Sequence, residues 1–355
     1  MLAFLACLII TLCCEVVTPA FAEEQSNMSS NVPPLTASIT PTQLSHFWQQ
    51  GYFSSFQGVA QLRINYAQFI TNASNPCLVI SSGRKEGYFK YQQLVYQLAA
   101  QGYNIFLIDH RGQGISQRML ANHDKGYVRH FDDYATDLHK FIQTIVLPRC
   151  QTKPYLLAHS MGAAIAVRYM QLNPQQIRAA VLASPMIAFN TGGIPFWLTK
   201  GLVYSLNKLN QWSGMSPWYF FGQGNYQPAP FADNHLTHDA ERYQQLLNEY
   251  QQVPERQLGG VTVHWMQQAL LTKQLIFAQI DKLDAPIQVI QAGDDHIVDN
   301  HVQDEFCQQL HQHNPASCPT GKPLVINHAW HELFMEQAQY RTPAINAALA
   351  WFKAH

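Results

Sequence analysis

Apolar and polar positions alternate in blocks along most of the chain, and the blocks change period in a regular way. Two early runs, GYFSSFQG and AQLRINYAQFI, read as strands, the second with the alternation of a half-buried one. Then short apolar runs ending in turn residues, CLVISSG, NIFLIDHRGQG, PYLLAHSMG, AAVLASP, PIQVIQAG and PLVINHAW, are separated by stretches of helical period. Those stretches are YQQLVYQLAAQGY, FDDYATDLHKFIQTIV, AAIAVRYM, DNHVQDEFCQQLHQH and the terminal PAINAALAWFKAH. A further short helix, PTQLSHFWQQG, carries Thr40 as N-cap, Pro41 at the first helical position and Gly51 at its stop. Eight strand runs interleaved with helices need crossover connections, which predicts an α/β fold with a mostly parallel sheet flanked by helices.

The rhythm fails between residues 186 and 279, which hold Trp197, Trp212, Trp218, Phe220, Phe221 and Trp265 among Gly and Pro residues. That is too long for a plain connection, and it reads as a cap inserted over the C-terminal edge of the sheet, the alternative being a second packed unit. At the other end, residues 1–22 combine an apolar run with a small-residue A-x-A pattern at Ala20 to Ala22. This reads as a signal peptide cleaved before Glu23, the alternative being an uncleaved anchor. Residues 23–40, rich in Ser, Asn, Thr and Pro, read as a flexible leader ahead of the main domain at 41–355. Export to the periplasm or medium follows, and Cys77, Cys150, Cys307 and Cys318 remain after cleavage, an even count that invites pairing.

A formal charge of −1 over 355 residues, with no basic run, removes the electrostatic footprint of a nucleic-acid binder. None of the four remaining cysteines has metal-ligand spacing, and no metal or cofactor is expected.

The chemistry centres on LLAHSMGAAIA. A strand, a serine among small residues and a helix are the parts of a nucleophile elbow, with Gly162 two residues after Ser160 and Ala158 where the usual first glycine stands. A serine needs a histidine base held by a carboxylate. In the matching chain order, PIQVIQAG runs into Asp294 and Asp295, and PLVINHAW runs into His331, with His328 nearby as a rival. Oxyanion donors are expected from the backbone N–H of Met161 and from the loop after CLVISSG, at Arg84.

These stretches, with SSGRKEGYFKYQQL, FLIDHRGQGIS, FDDYATDL, NHLTHDAERYQ, GGVTVHW, QAGDDHIVDN and NHAWHELF, resemble the α/β-hydrolase branch that contains bacterial lysophospholipases and monoacylglycerol lipases. The resemblance runs from about Gly51 to the C-terminus. It implies an α/β-hydrolase fold with a Ser160, His331, Asp295 triad and an Arg84, Met161 oxyanion hole. The implied activity is hydrolysis of the acyl ester of lysophospholipids or monoacylglycerols. The Trp- and Phe-rich cap reads as an apolar groove for the acyl chain and as a surface able to rest on a membrane. A broad carboxylesterase and a silent binding module are the competing readings. The strand order of that fold sets the third strand beside the fifth, which implies Cys77–Cys150, and a Cys307–Cys318 disulfide is expected as well.

Overall fold

The computed structural model describes Leu35 and residues 39–355 except Thr191; the segment expected to be a signal peptide (1–22) and most of the expected leader (23–40) lie outside the described residues. Eight strands form one sheet: β1 (Tyr52–Gln57), β2 (Arg63–Phe69), β3 (Cys77–Ser81), β4 (Asn104–Ile108), β5 (Tyr155–His159), β6 (Ala180–Ala183), β7 (Ile287–Ala292) and β8 (Leu324–Ile326). Their order is β1-β2-β4-β3-β5-β6-β7-β8, antiparallel from β1 through β2 to β4 and parallel thereafter.

The helices are α1 (Pro41–Gln49), α2 (Gln92–Ala100), α3 (Asp132–Phe141), α4 (Met161–Leu172), α5 (Phe196–Trp212), α6 (Ala240–Gln252), α7 (Val263–Ala278), α8 (Asn300–His313) and α9 (Ala338–Ala354). Strands β3 to β7 are buried along their whole length, as a parallel sheet covered on both faces requires. Successive side chains split between two cores. Val79, Phe106, Leu156 and Leu182 pack with Leu138 of α3, Ile165 of α4 and Phe306 of α8. Ile80, Leu107, Leu157 and Val181 pack with Leu98 of α2 and Phe352 of α9. This period of two is what makes short all-apolar runs stable only as sandwiched strands.

Thr40 caps α1 as its sequence indicates, its hydroxyl accepting from the Gln43 N–H at 3.2 Å while Gln43 Oε1 accepts the Thr40 N–H at 3.0 Å. Two boundaries differ from the sequence reading. The second strand begins at Arg63, because Ala60 and Gln61 adopt positive φ in a tight 3₁₀ turn. The last helix begins at Ala338, with Pro343 in its second turn; the proline there removes one hydrogen bond without ending the helix, whereas the sequence pattern places it at the start. Between β6 and β7 the chain forms α5, α6 and α7 in place of one crossover helix.

Both cysteine pairs are disulfides, Cys77–Cys150 and Cys307–Cys318, with Cα atoms 5.9 and 5.5 Å apart. Because β3 neighbours β5, the first bond joins the entry ends of two central strands. The pairs enclose 73 and 11 residues, so the loop-entropy argument assigns about 4 kcal/mol to the first and about 3 kcal/mol to the second. In thermal unfolding, the Cys77→Ser/Cys150→Ser protein should therefore melt below the Cys307→Ser/Cys318→Ser protein, and both below the parent.

Candidate active site

Ser160 is the single residue between the last residue of β5 and the first of α4, with φ 51° and ψ −118°. A left-handed φ at a residue with a side chain costs energy and persists only where the surroundings impose it. Here the Ser160 N–H donates to Ala183 O at 3.0 Å. Its carbonyl accepts from Ala163 N at 3.0 Å and Met186 N at 3.1 Å. The small neighbours have different causes. A Cβ on Gly162 would stand 2.2 Å from Ser81 O and 2.4 Å from Ser82 O, so α4 can sit against the exit of β3 only with glycine there. Ala158 lies inside β5 between Ser81 and Leu182, where its methyl is part of the core. The first small position tolerates alanine; the second does not.

Strand β7 delivers Asp295 and β8 delivers His331. A turn holds the two loops together, with Gly293 N donating to Ile326 O at 2.9 Å and Asp294 N to Ala329 O at 3.0 Å. Asp295 Oδ2 is 2.7 Å from His331 Nδ1, and His331 Nε2 is 2.9 Å from Ser160 Oγ. With Nδ1–H donated to the carboxylate, Nε2 carries the lone pair and accepts the serine hydroxyl proton. Burial alone would raise the Asp295 carboxyl. The adjacent His331 and the N–H groups of Ile297 and Val298, at 2.8 and 3.1 Å, outweigh it and hold Asp295 below its ordinary value. The rival pair sits apart: His328 and Asp294 touch each other at 3.3 Å with side chains 79% and 52% exposed.

The loop after β3 is fixed on both sides of Arg84. Gly83 N donates to Glu86 Oε2 at 2.6 Å, and Lys85 N to Gln113 Oε1 at 2.8 Å. Met161 opens α4, where helix N–H groups lack intrahelical partners and the dipole favours negative charge. The Arg84 side chain crosses to the segment between β6 and β7. It bonds Gly259 O and lies 5.7 Å from the centre of the Trp265 ring. Burial lowers its pKa to about 10, its Nε has no partner, and among the described residues no carboxylate pairs with it.

Sequence reasoning missed a buried charged cluster behind the serine. Glu86, His159 and Glu332 each bring one donor atom within 4.8 Å of the others, a spacing that suits a metal ion. Lys90 Nζ already lies 2.8 Å from Glu86 Oε1 and bonds Glu332, so an ammonium fills that position. Of these, only the Glu86 to Lys90 spacing in KEGYFK carried a signal in the sequence, and such spacing usually marks a solvated helix face.

An eight-stranded, mostly parallel sheet with a strained serine at the exit of β5 and a buried histidine and aspartate after β8 and β7 defines an α/β-hydrolase. The family model described as serine aminopeptidase, S33, matches residues 72–338. Lysophospholipase L2 of Escherichia coli is 34% identical over 325 residues, covering 90% of this chain and 92% of that protein. A probable lysophospholipase L2 of Haemophilus influenzae is 30% identical, covering 84% and 91%. Among solved structures, a monoglyceride lipase from Saccharomyces cerevisiae superposes with a TM-score of 0.66 at 17% identity, covering 86% of this chain and 94% of that one. A carboxyl esterase from Bacillus coagulans gives 0.66 at 14%, covering 86% and 98%. The chain belongs to the α/β-hydrolase family of lysophospholipases and monoacylglycerol lipases, and it is a carboxylic ester hydrolase.

The two small positions around Ser160 should respond oppositely to a one-carbon change. Gly162→Ala forces a methyl onto two backbone carbonyls and should abolish soluble, active protein. Ala158→Gly should cost only about 1 kcal/mol by chemical denaturation and keep ester hydrolysis within a few-fold of the parent.

Proposed function

We propose that this esterase removes the acyl chain of lysophospholipids through an acyl-enzyme on Ser160. Ser160 Oγ attacks the ester carbonyl as His331 Nε2 takes its proton, and His331 returns a proton to the leaving glycerol oxygen. Asp295 keeps His331 in the required tautomer and stabilises its charged form. The N–H groups of Arg84 and Met161 receive the oxyanion. Water, activated by His331, then releases the fatty acid. The observation that carries the reading is the continuous Asp295–His331–Ser160 relay at 2.7 and 2.9 Å.

Two further features support a lipid. A cavity of about 230 Å³ is lined by Ile187, Phe189, Phe220, Met266, Leu270 and Met186, whose N–H is bonded to Ser160 O. It is suited to an acyl chain. A larger cleft of about 560 Å³ lies by Pro76, Tyr103 and Tyr155, at the entry ends of the strands and away from Ser160. Ligands in open α/β sheets bind at the exit ends. The Arg84 guanidinium, buried without a carboxylate, favours a phosphate-bearing headgroup, since an unpaired buried charge is costly and an arginine pairs well with phosphate. Monoacylglycerol is the second reading, favoured by the structural likeness to the yeast monoglyceride lipase.

The outward face of α5 suits contact with a lipid surface. Trp197, Leu198, Leu202, Leu209 and Trp212 are exposed, the two tryptophans by 73% and 85%. At 100° per residue they share an arc of about 140°, opposite the buried Val203, Asn207 and Asn210. Export remains our reading of the first 22 residues, supported by two disulfides of a kind that persists in oxidising compartments.

Ser160→Ala should lower ester hydrolysis by roughly 10⁴-fold or more with the fold intact by circular dichroism. Side-by-side assays on oleoyl lysophosphatidylcholine and mono-oleoylglycerol decide the substrate. Arg84→Gln should lower the ratio of kcat/KM for the first over the second by about tenfold, and an equal effect on both would remove the headgroup role. Trp197→Ser/Trp212→Ser should weaken binding to anionic vesicles while leaving hydrolysis of soluble p-nitrophenyl butyrate unchanged.

A further inference from the structure

We propose that His159 is held as an imidazolium whose two N–H groups position the oxyanion loop and the catalytic-histidine loop against the nucleophile. His159 is the last residue of β5, immediately before Ser160, and is buried. Its Nδ1 is 2.9 Å from Glu86 Oε1, and its Nε2 is 3.1 Å from the carbonyl oxygen of His331. A carbonyl oxygen only accepts, so Nε2 must carry a proton. Glu86 also only accepts. Its Oε1 takes Lys90 Nζ at 2.8 Å, and its Oε2 takes the Gly83 N–H at 2.6 Å and the Tyr91 hydroxyl. Every neighbour of that carboxylate donates to it, so Nδ1 must carry a proton as well. A neutral ring would turn a lone pair on one of two acceptors.

The cluster balances in charge, with Glu86 and Glu332 against Lys90 and His159, and it sits where it can govern geometry. Glu86 fixes Gly83, the residue before the expected oxyanion donor Arg84. His159 grips the backbone of His331 and is itself joined to Ser160. Glu332 follows His331, bonds Lys90, and has its N–H tied to Leu236 O at 2.9 Å. Three loops that must agree to within a fraction of an ångström thus share one ionic knot.

The groups facing His159 are Glu86 from the loop after β3, Lys90 from the 3₁₀ turn Tyr88–Tyr91, and Glu332 and His331 from the loop after β8; Tyr91 of the same turn bonds Glu86. Burial pulls the ring toward neutrality and Lys90 adds to that. The Glu86 and Glu332 carboxylates prevail and hold its pKa above the ordinary histidine value. Glu86, although buried, is held well below its ordinary value by Lys90 and His159. The sign follows: a raised pKa gives stabilisation that is complete below about 6.5 and lost as pH rises through the folded value. A working enzyme should therefore lose rate on the alkaline side as His159 deprotonates, separately from the acid limb set by the base.

His159 acts through its neighbours and is a positioning residue. The test has one arm that needs no catalysis. In nitrogen-15 NMR of histidine-labelled protein at pH 7, with His159→Gln for assignment, both His159 ring nitrogens should resonate as protonated; a neutral imidazole pattern would overturn the proposal. The second arm rests on the hydrolase reading and uses whichever ester the wild type cleaves. His159→Phe should lower kcat about 100-fold with KM within threefold. Glu86→Gln should move the alkaline limb to lower pH. A kcat within twofold of wild type, or an unmoved alkaline limb, would contradict it. If His159→Phe does not fold, the NMR arm and Glu86→Gln still decide. If the wild type cleaves no ester, the proposed function fails while the NMR arm stands.

Discussion

The approach of helix α4 to the carbonyl end of strand β3 sets the geometry of everything around Ser160. Gly162 lies so near Ser81 and Ser82 that no β-carbon fits, and this contact allows the chain to turn from β5 into α4 through one residue of positive φ. The turn presents the Ser160 hydroxyl to His331 Nε2 at 2.9 Å. It also brings the start of a twelve-residue helix, with its unpaired N–H groups, under the same point. In the proposed mechanism, nucleophile exposure and oxyanion stabilisation would be two results of one packing constraint. The strain at Ser160 is offset by the bonds from Ala183, Ala163 and Met186 that fix its backbone.

Several charges are paired in the interior. The triad, the Glu86–Lys90–His159–Glu332 knot and the Arg111–Asp137 pair, at 2.7 Å, all lie in the interior. Buried pairs of this kind add little net stability compared with well-packed apolar residues, but breaking one leaves an uncompensated charge, so each holds its loops in a single arrangement. Asp109 does similar work in the DHRGQG loop, accepting the Tyr88 and Ile115 N–H groups at 2.6 and 2.9 Å. Burial still raises its pKa to about 7.

Much of this was legible in the chain because it rests on local signals. The runs from CLVIS to PLVIN named the strands, since a parallel sheet covered on both faces needs nearly unbroken apolar segments. Ser160, Asp295 and His331 stood at strand exits in a fixed order. The choice between Asp294 and Asp295, and between His328 and His331, needed the fold's resemblance, and the structure shows the physical difference: one pair is buried and joined to the serine, the other exposed. The ionic knot was not legible. Glu86, Lys90, His159 and Glu332 are up to 246 residues apart in numbering, and nothing in their local spacing distinguishes a buried charge from a solvated one. The start of the last helix was misread for a similar reason, because a proline was given a local meaning that packing overrode.

The most direct test of the account is a competition labelling experiment. Purified protein is treated with a fluorophosphonate probe, with and without excess lysophosphatidylcholine, and digested for peptide mass spectrometry. The account expects one modified residue, Ser160, and slower labelling in the presence of the lipid. Modification at another residue, or labelling of Ser160 that the lipid does not slow, would contradict it.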